Sequence, residues 1–286
     1  MPMKAILLLA LASGLPATAP ADEGLGKTLT DEYHGMVLAL RHAFISNSQQ
    51  YAPDGSFVGA PEEGTWTVYG RISVNKIKAD TDQLKVEGER AVYYFDRGKQ
   101  VQFQSDRDHP AERITITVHL QQPLASAEEA RVILARVFAL SPEDVVGSAP
   151  DYWQPQLAKQ LGVQLPKPAV GQDGGGTKEQ AASREKTFHV SDTVGGKKVT
   201  PPAVVYQREP AFSDAARSRR LQGTVGLNVT VDKNGSVTDV QIVRPLGMGL
   251  DEQAVATVRT WRFSPAKVEG QPVAVQLYIE TNFSFQ

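Results

Sequence analysis

The sequence predicts an α+β protein built from two domains, and three observations carry that reading. Alternating apolar strands between residues 66 and 120 are flanked by stretches of helical periodicity. A Gly- and Pro-rich tract at 166–186, with Pro166, Pro168, Gly171 and the run Gly174-Gly175-Gly176, interrupts the chain and reads as a linker. Beyond it, Ser213 to Phe285 alternates helix, hairpin, helix and strand with little spare chain.

Composition narrows the function classes. At 286 residues the chain is long enough for two modest domains, and 41% hydrophobic residues suffice for their cores. A formal net charge of -2 argues against a general nucleic-acid binder, which needs a basic face. With no cysteine, disulfides, thiolate metal sites and a Cys nucleophile are excluded. Residues 1–21 read as a signal peptide. Lys4 precedes the apolar run from Ala5 to Ala12, and Ala19-Pro20-Ala21 fits a small-x-small cleavage pattern ahead of Asp22. Extended through Leu15, that run is roughly 11 residues and spans about 16 Å as a helix, well short of a ~30 Å bilayer core, so an exported periplasmic protein is expected.

The first domain is expected over 25–165. Tyr33, Val37, Leu40 and Phe44 recur at helical spacing, which predicts a helix over 28–44. Trp66, Val68, Ile72 and Val74 alternate with polar residues and predict a strand from 66 to 77, with Gly70 marking a bulge. Further strands are expected within 84–95 and 100–120, giving an antiparallel meander. Ser126 with Glu129 forms a capping box ahead of a helix carrying Ala130, Ile133, Leu134 and Val137, and a short helix is expected over 152–161.

The second domain is expected over 187–286. Ser213 is an N-cap for a helix over 214–221, stopped by Gly223. Val225, Leu227, Val229 and Val231 form one face of a strand, and Asn234-Gly235 predicts a tight turn with both residues left-handed, leading to a return strand with Val240 and Ile242. Leu250, Ala254, Val258 and Trp261 make one helical stripe, with Asp251 and Glu252 in the first turn and Arg259 and Arg262 in the last. The final strand alternates over 273–285. Val273, Val275, Leu277, Ile279, Phe283 and Phe285 share one face with Thr281 as the exception, and Gln276, Tyr278, Glu280 and Asn282 share the other. At ~3.3 Å per residue it would run about 43 Å, outrun the hairpin strands and leave backbone groups unpaired.

From Pro210 to Phe285 the chain resembles the C-terminal domain of the TonB family, the periplasmic energy transducers of diderm bacteria. The resemblance rests on an ordered series: Phe212-Ser213 at a helix start, Ala216-Arg217, Gln222-Gly223-Thr224-Val225, Val231-Asp232 with Gly235 and Val237, Leu250-Asp251 with Ala254, Trp261-Arg262-Phe263 with Pro265-Ala266, and Gly270 with Pro272-Val273. It implies a three-stranded antiparallel sheet with two helices. It also implies that a short extended segment of an outer-membrane transporter adds to the last strand, here Val275, Gln276, Leu277, Tyr278, Ile279, Glu280, Thr281, Asn282 and Phe283. The chain departs from the pattern in its short, cleavable-looking N-terminal run, its Gly-rich spacer and its folded first domain, so an ExbB–ExbD type motor is not a settled partner. Arg208-Glu209-Pro210 stands where the family presents a glutamine-containing stretch.

Catalytic signals are missing. No Gly-x-Ser-x-Gly elbow or His-Glu-x-x-His occurs, and Gly174-Gly175-Gly176-Thr177-Lys178 lacks the order of a phosphate loop. His34 and His42, eight apart on the expected first helix, have no carboxylate at ligand spacing, and no cofactor is expected. Arg217, Arg219 and Arg220 are read as a solvated helix face. The expectation is a non-enzymatic adaptor. A standalone binding module that dimerises through the last strand, and a last strand that is plainly structural, remain the alternatives.

Overall fold

The computed structural model describes residues 23–103, 108–109, 112–165, 188–189, 193–194 and 197–285. The expected signal peptide and the expected linker at 166–186 lie outside the described residues. No helix among the described residues is long and apolar enough to cross a membrane. Two compact units emerge, Met1–Pro150 and Asp151–Gln286.

The first unit contains helices α1 (Glu23–Tyr33), α2 (Trp66–Tyr69), α3 (Ala127–Val137) and α4 (Pro142–Ser148). Its strands are β1 (Val37–Leu40), β2 (Ser48–Tyr51), β3 (Arg71–Ala79), β4 (Gln83–Arg90), β5 (Tyr93–Asp96), β6 (Lys99–Gln102), β7 (Arg113–His119) and β8 (Phe138–Ala139). Six of them form one sheet in the order β2-β7-β4-β3-β1-β8. The core gathers Leu29 and Tyr33 from α1, alternate residues of β3, β4 and β7, and Leu134 and Val137 of α3. Ser126 caps α3 by accepting from the Glu129 N–H at 3.2 Å, as its sequence pattern requires.

Several expectations for this unit are corrected. The helix placed over 28–44 ends at Tyr33, because Gly35 turns the chain at φ +73 and β1 pairs with β3. His34 and His42 therefore do not share a helix. The strand placed over 66–77 begins only at Arg71, Trp66–Tyr69 being a helical turn closed by the Gly70 N–H on the Trp66 carbonyl. The sheet is not a simple meander, since β2 runs parallel to β7.

The second unit begins earlier than the expected boundary. Helix α5 (Gln154–Leu161) belongs to it, started by Pro155 in its first turn and stopped by Gly162 at φ +70. Then come β9 (Phe188–His189), β10 (Thr193–Val194), β11 (Lys197–Lys198), β12 (Ala203–Tyr206), α6 (Asp214–Ser218), β13 (Gly223–Val231), β14 (Val237–Arg244) and α7 (Leu250–Val258). The chain closes with β15 (Arg262–Ser264), β16 (Ala266–Val268), β17 (Gln271–Val273) and β18 (Val275–Phe283). The main sheet has the order β14-β13-β18-β9, three antiparallel strands with the two-residue β9 running parallel to β18. Side pairs β12-β15, β16-β17 and β10-β11 complete the unit.

Here too the boundaries shift. Helix α6 stops at Ser218, and Arg220 adopts φ +52, so the three arginines wrap a helix end rather than one face. In the β13–β14 turn only Gly235 is left-handed, at φ +81. The Asp232 carboxylate accepts from the Asn234 and Ser236 N–H groups and holds the remaining turn. Helix α7 ends at Val258, which leaves Trp261 and Arg262 beyond it, with Arg262 in β15.

Candidate docking edge

The last strand is shorter than its alternation predicts. Ala274 breaks the run into β17 and β18, so β18 has 9 residues, matched to the 9 of β13 in continuous register from Gly223↔Phe283 to Val231↔Val275. The expected overhang is absent. What leaves backbone groups available is instead the far side of β18, where the described residues supply only β9, opposite Val275 and Gln276. Leu277 to Phe283 thus present a strand edge with no ladder partner among the described residues. The predicted site residues share this strand, although Val275 and Gln276 already pair within the chain.

Side chains divide as the alternation predicts. Val275, Thr281 and Phe283 are buried, Leu277 and Ile279 are half-buried, and Tyr278, Glu280 and Asn282 are exposed. The end of the strand is fixed by aromatic packing: Phe212 lies edge-on to Phe283, with ring centroids 5.5 Å apart, and stacks on Phe285 at 4.5 Å. Phe212 immediately precedes Ser213, whose hydroxyl caps α6 by accepting from the Ala216 N–H, so the aromatic-Ser pattern of the sequence ties that helix to the edge strand.

The outward face carries an ordered polar cluster. The Tyr278 hydroxyl donates to Glu280 at 3.0 Å, and Arg244 of β14 pairs with the same carboxylate at 3.2 Å. Partial burial, followed by the hydrogen bond to Glu280, raises the Tyr278 pKa. The ring lies across β13 because position 226 is glycine. A Cβ there would meet the Tyr278 hydroxyl at 2.5 Å and Arg244 Cβ at 2.9 Å. Sequence reasoning noted Tyr278 and Glu280 as outward contacts but gave Gly226, read only as part of the strand's polar face, and Arg244 no role in the site. A glycine inside an alternating strand was the available signal, since such a residue often marks close approach of a neighbour.

At the opposite edge of the sheet the Ile242 N–H of β14 donates to the Tyr152 carbonyl at 3.0 Å. Among the described residues, segment 151–162 thus meets the outer side of β14 at Ile242, while β18 has no ladder partner from Leu277 to Phe283. In the side pair with β15, β12 exposes Val204, Val205 (70%) and Tyr206, an apolar strip that the sequence analysis did not single out.

The register of this hairpin-plus-edge-strand sheet coincides with the region matched by a family model, that of the Gram-negative bacterial TonB protein C-terminal, over residues 208–285. Residues 208–285 form a TonB-family C-terminal domain. Among similar proteins, the protein TonB of Vibrio cholerae serotype O1 is 31% identical over 87 residues, covering 30% of this chain and 36% of that protein. The protein TonB of Xanthomonas campestris pv. campestris is 36% identical over 76 residues, covering 26% of this chain and 34% of its own length. The chain thus spans about a third of the length of these TonB relatives. A solution NMR structure of the Pseudomonas aeruginosa TonB CTD aligns over 30% of this chain and 87% of that one, at 23% identity and a TM-score of 0.26. The TonB-family domain holds the whole candidate edge, while the first unit and α5 lie outside the matched residues.

Proposed function

We propose that this chain is an exported envelope adaptor whose TonB-family domain binds the N-terminal segment of outer-membrane transporters by strand addition to β18. The observation that carries the reading is the asymmetry of the sheet among the described residues: segment 151–162 meets β14 at Ile242, and β18 has no ladder partner from Leu277 to Phe283. An extended segment laid there would gain a backbone ladder, while Tyr278, Glu280 and Asn282 would offer a polar face for selectivity. Location in the periplasm and a link to energy-dependent transport follow from the same reading. Coupling to an ExbB–ExbD type motor would require retention of the N-terminal run or a separate linked partner.

Titrating the full mature chain with a synthetic peptide of a transporter's N-terminal periplasmic segment tests the proposal by amide hydrogen exchange. Slowed exchange confined to Leu277–Phe283 is expected. Exchange there unchanged at saturating peptide would overturn it. The second reading, a self-associating module without energy coupling, is favoured by the exposed β12 strip. It predicts a concentration-dependent dimer in sedimentation that Val205→Lys abolishes.

A further inference from the structure

The β14 edge of the sheet holds more information than a boundary. Segment 151–162 lies well upstream of the family-matched residues, yet it is built into the second unit at the outer side of β14. Tyr152, in the turn that leads into α5, gives its carbonyl to the Ile242 N–H at 3.0 Å. Trp153 is fully buried at 0% exposure, and Leu157 and Ala158 follow it into the interior from one side of α5. Arg259, just beyond α7, lies 5.4 Å from the Tyr152 ring centroid and pairs with Asp151 at 3.5 Å. One backbone bond, a buried aromatic anchor and a polar rim are the parts of a peptide docking site.

We infer that the outer side of β14, together with the C-terminal end of α7, is a second docking groove, and that this chain fills it with its own segment 151–162. The occupant is a turn carrying an aromatic pair, followed by a short amphipathic helix. Filling the groove in cis removes one of the two sheet edges from competition, so that strand addition is confined to β18. The inference does not depend on what β18 binds.

Hydrogen exchange on the full chain tests it at one amide. With the groove filled, the Ile242 N–H is protected. In Trp153→Asp it should exchange about 100-fold faster or more, while the Val229 amide in the central strand β13 stays slow. Rapid Ile242 exchange in the wild type, or protection unchanged by Trp153→Asp, overturns the inference. If that variant also loses Val229 protection, the milder Arg259→Ala decides: faster exchange at Ile242 alone supports the groove, and no change refutes it. A protease site inserted within 171–176 gives an independent readout. After cleavage the two wild-type fragments should co-elute and the Arg259→Ala fragments should separate more readily. Separation of the wild-type fragments contradicts filling in cis.

Discussion

Asp251 shows how one buried carboxylate sets the pH response of the second unit. It accepts from the Leu246 N–H at 2.8 Å and the Gly247 N–H at 2.6 Å, which fixes the loop entering α7. Burial, and then the neighbouring Glu252 charge, raise its pKa to about 7, against the pull of those two donors. A carboxyl raised above its unfolded value near 3.9 binds its proton more readily when folded. Its contribution is therefore fully present below about pH 4 and is lost as the pH rises through about 7. Urea unfolding of wild type and Asp251→Asn between pH 5 and 7 should show the wild type losing ground relative to the variant as pH rises. A difference that is flat or grows in favour of wild type contradicts the assignment. Thr281 sits on the buried face of β18 with its hydroxyl unpartnered among the described residues, so Thr281→Val should stabilise the chain by about 1 kcal/mol in thermal or urea unfolding. In the first unit the buried Arg90 donates to the carbonyls of Phe44, Ile45, Ser46 and Tyr69 and to the Asn47 side chain. Arg90→Met strands those acceptors and should cost about 3 kcal/mol or more.

At the scale of elements, turns and registers decide what the edge looks like. Gly235 closes the β13–β14 hairpin at φ +81, and a Cβ there would sit 1.7 Å from the Phe263 carbonyl oxygen of β15. Gly235→Ala should therefore destabilise the second unit by more than about 2 kcal/mol in urea unfolding, beyond the usual penalty of a left-handed residue. Much of this unit was legible in the sequence. The face of β18, the Ser213 cap and the buried strand β13 follow from period-2 alternation and capping chemistry, which are local signals. Strand length was not legible, because the break at Ala274 and the match of β18 to β13 depend on pairing between distant segments. The same limit explains the first unit. The helical spacing of Tyr33, Val37 and Leu40 is real, but pairing of β1 with β3 overrides it, and the parallel contact of β2 with β7 leaves no trace in either strand's own pattern.

For the whole molecule, the account turns on a division of edges. The TonB-family domain was legible because its signature residues are turn glycines, caps and core aromatics in fixed order. The role of segment 151–162 was not, because its Tyr152-Trp153 pair reads as an ordinary helix start until Ile242 is seen to meet it. Together they give a sheet that, among the described residues, is met by segment 151–162 at Ile242 on one side and lacks a ladder partner from Leu277 to Phe283 on the other. The central claim is most directly tested by in-cell photo-crosslinking from Tyr278, Glu280 and Asn282, with captured proteins identified by mass spectrometry. The account predicts capture of an outer-membrane transporter through its N-terminal segment from these positions, and not from Asp239 on the β14 side. Capture of only a second copy of this chain, or equal capture from Asp239, would contradict it.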